Sequence, residues 1–305
     1  MQTDIYKAAI FDEYLILKGF SVKTQQSFRH TVKRYAQWAE DENIELVNIA
    51  YNDIVAYLNY CKKKGNKQRT LQIIVGSIKH YYNFLMNENE VIDNPCTNVG
   101  IQGIKRKILY ETFSPEQLEN TYKIFAESPV SKGVGSALTK KRNKILLGLI
   151  IYQGIRTEEL AKLKVSDVKL REGKIFIAGS RRSNEREMPL EAHQLYDLMD
   201  YINETRKMIL ILTEKETDHL FTSIGSGKGF SNLMSKLQQQ LKKQNPKIKE
   251  IKQLRASVIT NWLKTLNIRK AQYLAGHRFI SSTEAYKVNN MDELKEDVNK
   301  YHPDF

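Results

Sequence analysis

The chain has 305 residues, a length that allows about two domains with apolar cores. Its composition, with 41% hydrophobic and 27% charged residues, is typical of a globular protein. With 48 Lys and Arg against 35 Asp and Glu, the net charge of +13 favours a polyanionic partner, nucleic acid first and an anionic membrane surface second. The sequence contains no apolar run of about 18 residues, so we expect no transmembrane helix, and we expect no secretory signal. Cys61 and Cys96 lack metal-binding spacing and indicate buried thiols in a reducing cytosol.

The first ~100 residues predict a four-helix unit, because apolar residues recur every three or four positions, as on the buried face of a helix. These residues are Phe28, Val32, Tyr35 and Trp38 in the second helix, Ile54, Leu58 and Cys61 in the third, and Ile74, Ile78, Tyr81 and Leu85 in the fourth. The third helix is expected to begin at the capping residues Asn52 and Asp53. A basic cluster follows it, either a phosphate contact or a solvated turn: Lys62, Lys63, Lys64, Lys67 and Arg69.

Periodicity stops around residues 91–107, where "VIDNPCTNVGIQGIKRK" reads as an interdomain linker. The predicted division is a helical domain at 1–92, a linker at 93–112 and a second domain at 113–305. Ser114 and Pro115 have the residue types that begin a helix.

The second domain is predicted to mix helices with a small sheet. A mostly apolar helix ends near Gly154, and a short helix "TEELAKL" follows. "GKIFIAGSRRSNEREMPL" then predicts two strands joined by a basic turn, and Pro189 limits the second strand to an edge position. The expected fold class is therefore mainly α with a small β-sheet.

Five residues in the second domain have side chains suited to cleavage of a phosphodiester by a tyrosine. A phenol must lose its proton as it attacks phosphorus, guanidiniums grip the charged phosphate, and Lys or His can protonate the leaving oxygen. The candidates are Arg156 in "YQGIRTEEL", Lys252 and Arg255 in "KQLRASVITNWL", and His277 and Tyr286 in "LAGHRFISSTEAY". A helix would place Lys252 and Arg255 on the same face.

These three segments resemble, in order and spacing, the motif boxes of the tyrosine recombinases of the phage integrase family. "GIRTEEL" is similar to the first arginine box, "KQLRASVITNWL" to the His-x-x-Arg box, and "LAGHRFISSTEAY" to the Leu-Gly-His box that precedes the nucleophilic tyrosine by nine residues. The N-terminal helices resemble the family's SAM-like core-binding domain, so the resemblance covers nearly the whole chain.

The resemblance implies that Arg156 and Arg255 clamp the scissile phosphate and that Tyr286 attacks it, which leaves a 3′-phosphotyrosyl bond and a free 5′-hydroxyl. His277 and Lys252 would hydrogen-bond the phosphate and assist proton transfer, while Glu159 would orient Arg156 or neighbouring groups and would not react. No metal and no cofactor is implied. Double-stranded DNA is the implied partner, in the cytoplasm at the nucleoid, with no membrane contact.

The chain departs from the family pattern at two positions. Lys252 stands where the family has His, an exchange that the family tolerates. The family also places a lysine in the turn between the two strands, but here that turn reads "GSRRSNER", with Ser180 at the usual position and Arg181 and Arg182 after it. Arg181 is a candidate substitute, although its high pKa makes it a poor acid. Lys67, Arg69, Arg181 and Arg182 are the candidate DNA contacts.

The segment after Tyr286 has Met291, Leu294 and Val298 on one side of a predicted acidic helix. In the family such tails pack on a neighbouring subunit, so a tetramer in the synaptic complex is implied. Integration, excision or inversion of DNA, as in a mobile element, is the leading expectation. Two alternatives stay open: an inactive recombinase-like accessory DNA binder, because of the missing turn lysine, and a type IB topoisomerase-like enzyme.

Overall fold

The computed structural model describes residues 2–103, 111–130, 132–180, 183–224 and 229–287, with side chains from residue 9 onward. The chain divides into two compact units, Met1–Arg106 and Lys107–Phe305. Part of the predicted linker, residues 104–110, lies outside the described ranges, and so does the predicted tail helix. The limits 1–92, 93–112 and 113–305 therefore stay predictions.

Four helices form the N-terminal unit, as the periodicity predicted. They are α1 (Gln2–Leu17), α2 (Val22–Asp41), α3 (Tyr51–Lys63) and α4 (Gln68–Asn87). The apolar residues predicted to share helix faces are buried, except Phe28, which is half-buried against the same core. Cys61 and Cys96 are free and buried, also as predicted. The basic cluster lies where it was expected, at the end of α3 and the start of α4, and its side chains are exposed.

The start of α3 differs from the expectation by one or two residues. The helix begins at Tyr51 instead of Asn52 or Asp53. Asp53 lies inside the first turn, where its carboxylate accepts a hydrogen bond of 2.9 Å from the backbone N–H of Ala50. Asp53 is therefore the third residue of the helix, not the residue before it. From there its side chain binds the free backbone amide that precedes the helix.

Nine helices are described in the C-terminal unit. They are α5 (Pro115–Glu127), α6 (Val134–Ile151), α7 (Thr157–Leu160), α8 (Ala192–Asp200), α9 (Arg206–Thr213), α10 (Gly229–Gln244), α11 (Ile251–Thr265), α12 (Ile268–Ala275) and α13 (Ser281–Glu284). A π-helical segment, Tyr201–Thr205, joins α8 to α9. As predicted, Ser114 caps α5 and Pro115 is its first residue. The apolar helix α6 is the centre of this unit, with Leu146, Leu147, Leu149 and Ile150 fully enclosed.

A three-stranded antiparallel sheet in the order β1–β2–β3 completes the C-terminal unit. Its strands are β1 (Val168–Lys169), β2 (Lys174–Ile177) and β3 (Arg186–Pro189). Ile175 pairs with Met188 and Ile177 with Arg186, and these four side chains are buried. Pro189 lies in the edge strand β3, which confirms its predicted position. Across the part of the chain that the structure describes, every helix is too short or too polar to cross a membrane.

Candidate active site

Arg156 occupies the turn between α6 and α7. The turn is possible because Gly154 adopts φ +56°, a left-handed conformation that side chains disfavour, and because a Cβ there would lie 3.1 Å from the Trp262 ring. Arg156 is half-buried and caps α7, where its backbone N–H donates a hydrogen bond of 2.9 Å to Oε2 of Glu159. The carboxylate of Glu159, three residues later, therefore fixes the backbone of Arg156 at the start of α7.

Arg255 lies on the buried side of α11 and is held by backbone carbonyls from two other segments. Its Nη1 donates to the carbonyl of Gly154, and its Nη2 donates to the carbonyl of Ala275 at 2.6 Å. Burial, followed by the positive charges of Arg156 and Arg186, lowers the pKa of Arg255 to about 9. The guanidinium thus remains charged at neutral pH and joins the start of α7 to the end of α12.

Glu159 is the buried carboxylate at the centre of this cluster. It accepts the backbone N–H of Arg156 and two hydrogen bonds from Arg186, and its Oε2 lies 3.9 Å from Nη1 of Arg255. Burial alone would raise the pKa of Glu159, but the hydrogen bonds and charge of Arg186, with help from Arg156 and Arg255, hold that pKa below its ordinary value. The carboxylate is therefore ionised, and it is bonded to Arg186 and to the backbone of Arg156.

A third guanidinium in the cluster, that of Arg186, was not predicted from the sequence. Arg186 begins β3, and only 2% of it is exposed. Its position in the strand pattern was a usable signal. Residues two apart in a strand face the same side, so Arg186 shares the inward face of Met188, and an inward charge requires a partner.

His277 follows α12 in a loop that Gly276 allows by adopting φ +62°. The ring is 3% exposed, and its Nδ1 lies 2.9 Å from Oγ1 of Thr283. Like Arg186, Thr283 was not predicted from the sequence. Burial, then the charges of Arg255 and the other two arginines, lowers the pKa of His277 to about 3. The imidazole is therefore neutral at physiological pH, and the surrounding arginines oppose its protonation.

Tyr286 lies just after the short helix α13, and its backbone N–H donates to the carbonyl of Thr283 at 3.0 Å. The half-buried phenol ring stacks against the His277 ring, with centroids 5.7 Å apart and planes inclined by 17°. It also interacts electrostatically with Arg255. The structure therefore brings Tyr286, His277, Arg255, Arg156 and Glu159 into one cluster.

Lys252 does not join this cluster through a direct contact. It is exposed in the first turn of α11, whereas Arg255 on the next turn is buried. Among the described residues, no hydrogen bond or ion pair links Lys252 to the arginines. Both residues lie in α11, as predicted, but the three-residue spacing did not reveal that Arg255 is buried while Lys252 is exposed.

The turn between β2 and β3 lies beside the His277 loop. Ser183 pairs with His277 in an isolated antiparallel bridge, and the backbone N–H of Asn184 donates to the carbonyl of Gly276 at 3.2 Å. Arg181 and Arg182, the predicted turn contacts, lie outside the described residues. The described part of the turn is nevertheless bonded to the loop that carries His277, the candidate for proton transfer.

Comparisons with known proteins cover both units. Residues 112–293 match the model of the phage integrase family, and residues 9–89 match the model of the phage integrase N-terminal SAM-like domain. The tyrosine recombinase XerC of Oceanobacillus iheyensis is 25% identical over 306 residues, covering 96% of this chain and 94% of that protein.

Solved structures share the fold. A XerH site-specific recombinase bound to a palindromic difH substrate, in a post-cleavage complex, matches with a TM-score of 0.71 and 18% identity, covering 91% of this chain and 79% of that one. A lambda integrase tetramer bound to a Holliday junction matches with a TM-score of 0.63 and 15% identity, covering 92% of this chain and 75% of that one.

Proposed function

The chain belongs to the phage integrase family, and from that premise we propose that it is a site-specific recombinase that breaks and rejoins DNA strands through Tyr286. The observation that carries the proposal is the convergence of two guanidiniums, a neutral imidazole and a phenol from four separate segments. This set matches what attack of a tyrosine on a phosphodiester requires.

In the cleavage step, Oη of Tyr286 forms a bond to phosphorus, and the bond between phosphorus and the 5′ oxygen breaks. The strand is left with a 3′-phosphotyrosyl linkage and a free 5′-hydroxyl. Arg156 and Arg255 stabilise the negative charge that develops on the nonbridging oxygens, because guanidiniums bind phosphate through paired hydrogen bonds. Rejoining reverses the step, so the bond energy is kept in the phosphotyrosine.

Two protons must move during cleavage, one from the phenol and one to the leaving 5′ oxygen. His277 is the proposed acceptor of the phenol proton, because a phosphate bound at the arginines offsets the positive charges that lower its pKa, and its contact with Thr283 fixes the orientation of its ring. We assign the second transfer to the turn between β2 and β3, with Arg181 as the candidate donor, since the described part of this turn is bonded to the His277 loop. Lys252, exposed at the start of α11, is assigned to the phosphate backbone.

DNA binding is the proposed role of the N-terminal unit. Lys67 and Arg69 lie exposed at the start of α4, next to the lysines that end α3, so basic side chains are concentrated at one helix junction. Phosphate contacts of this kind give affinity without sequence preference. Arg181 and Arg182 are the proposed contacts in the C-terminal unit.

We also propose that the active form is an assembly of several copies on DNA, in the cytoplasm at the nucleoid. The neighbouring structures in the comparisons include a lambda integrase dimer on a core site and a tetramer on a Holliday junction. The acidic segment after Tyr286, with Met291, Leu294 and Val298, is the proposed contact between copies. Recombination of a mobile element is the proposed biological context.

One observation favours a second function, that of an accessory DNA binder without cleavage activity. The turn between the strands, "GSRRSNER", carries no lysine to protonate the leaving oxygen. A protein of this kind would bind the same DNA but would form no covalent intermediate.

A covalent-trapping assay separates the two functions. The protein is incubated with a randomised duplex library, and the DNA that becomes covalently joined is sequenced and rebuilt as a nicked suicide duplex. On denaturing gels we expect an adduct with the wild-type protein and with Tyr273→Phe, a control in which a nearby exposed tyrosine is changed. We expect none with Tyr286→Phe or Arg156→Ala, although both still bind the duplex. Binding without any wild-type adduct would favour the accessory function.

A further inference from the structure

Arg186 is enclosed so completely that it cannot touch DNA itself. Its side chain is 0% exposed, and its two terminal nitrogens bind the two oxygens of Glu159 separately, Nη1 to Oε1 at 3.1 Å and Nη2 to Oε2 at 2.9 Å. A guanidinium fork on a carboxylate is the strongest and most directional ion pair available to side chains. Glu159 is therefore held mainly by Arg186.

The same carboxylate lies close to the arginine that the reaction needs. Oε2 of Glu159 is 3.9 Å from Nη1 of Arg255, a longer and weaker pairing than the one with Arg186. A buried carboxylate that loses its paired cation is strongly destabilised, so a closer pairing with the next cation becomes favourable. If Arg186 were absent, Glu159 would turn toward Arg255 and compete there with the DNA phosphate.

The backbone around Arg186 is arranged to admit its guanidinium. A Cβ at Gly276 would lie 2.3 Å from Nη1 and 2.9 Å from Cζ of Arg186, so any larger residue would displace the fork. The Nε of Arg186 is buried and finds no hydrogen-bond partner among the described residues. An unpaired buried donor lowers the stability of the fold. Burial of Arg186 in its pairing with Glu159 therefore carries an energetic cost at Nε.

We propose that Arg186 is a positioning residue for DNA cleavage: by occupying both oxygens of Glu159, it keeps that carboxylate from neutralising Arg255. Arg255 is then only weakly paired with Glu159 and keeps most of its positive charge for the scissile phosphate, while Glu159 still fixes the start of α7 through the Arg156 amide. The inference rests on the proposed function, since it assigns a role within that reaction.

The test is a double-mutant cycle on the suicide duplex, with the single-turnover rate of adduct formation measured per folded molecule. The variants are Arg186→Met, Glu159→Gln and the double variant, and Arg186→Lys retains the charge if Arg186→Met fails to fold. Arg142→Met is the matched control. Arg142 is also a buried arginine, but it bonds to Asn143 and the Thr222 carbonyl, outside the site.

We expect Arg186→Met to slow cleavage about 100-fold, the size of effect seen when one charge-stabilising donor is lost, with DNA affinity changed less than about threefold. Arg186→Lys should be about tenfold slower than wild type, because an ammonium cannot occupy both oxygens. Adding Glu159→Gln should recover at least about tenfold of the rate lost in Arg186→Met, because no carboxylate remains to neutralise Arg255. Arg142→Met should lower the melting temperature and leave the rate within about twofold.

Three results would overturn the inference: Arg186→Met or Arg186→Lys cleaving at the wild-type rate, the double variant no faster than Arg186→Met, or Arg142→Met as slow as Arg186→Met. If Arg186→Met does not fold, a double variant slower than Glu159→Gln by tenfold or more would also overturn it. The wild-type protein on the same gels tests the proposed function separately. An absent wild-type adduct counts against that function, whereas a normal adduct with unaffected Arg186 variants counts only against this inference.

Discussion

Acidification should destabilise the C-terminal unit through one buried imidazole, that of His277. The ring is 3% exposed, and Arg255, Arg156 and Arg186 surround it with positive charge. Burial and these charges lower the pKa of His277 from 6.5 to about 3, with only Glu159 opposing them. Folding therefore requires the neutral ring, whereas the unfolded chain protonates it readily.

The sign and size of the effect follow from this difference in pKa. Between pH 6.5 and about 3 the unfolded state binds more protons, so stability is retained above that range and is lost as pH falls through it. The loss attributable to His277 is roughly 2 kcal/mol by pH 5 and roughly 3 kcal/mol by pH 4. For a unit of this size, 2 kcal/mol lowers the melting temperature by about 4–8 °C.

Scanning calorimetry from pH 7.5 to pH 4.5 measures this loss in the wild-type protein and in His277→Gln. The variant cannot take up the proton, so its melting temperature should fall less steeply, and the two curves should converge as pH decreases. Carboxylate effects are common to both proteins. His30→Gln, which changes an exposed ring, is the control and should follow the wild type. Parallel curves for wild type and His277→Gln would refute the reasoning.

Three further perturbations test other parts of the structure. Gly154→Ala should lower the free energy of unfolding by about 1–3 kcal/mol in urea titrations, because φ +56° would be imposed on a residue with a Cβ; an unchanged midpoint would contradict this. Thr283→Val should slow adduct formation about tenfold at constant DNA affinity, because His277 loses its Nδ1 partner; Thr283 is fully buried, and an unchanged rate would exclude this positioning role. Lys67→Ala should weaken binding to all sequences and reduce the slope of log K against log salt by about 0.9, and an unchanged slope would exclude a phosphate contact.

The fold was largely predictable because its signals are local. Helical periodicity identified the buried faces of α2, α3 and α4, and Pro189 identified β3 as an edge strand, because each rule concerns residues close together in the chain. The family and the mainly helical fold with a small sheet were also confirmed. The start of α3 was wrong by one or two residues, since Asp53 acts from inside the first turn.

The site was less predictable because its contacts join distant segments. Arg186 in β3 and Glu159 in α7 are 27 residues apart, so their contact depends on the tertiary fold and on no local pattern. The motif resemblance identifies Arg156 and Arg255 as candidates but gives no information about the carbonyls that hold Arg255. The roles of Lys252, Arg181 and the other assigned residues stay predictions.

The most direct measurement of the central claim is mass spectrometry of the trapped adduct after digestion of protein and DNA. If Tyr286 attacks the phosphate, a nucleotide will be found on the peptide that contains Tyr286, joined through its 3′-phosphate, and the released strand will carry a 5′-hydroxyl. A nucleotide on any other residue, or a linkage to a 5′-phosphate, would contradict the proposed chemistry.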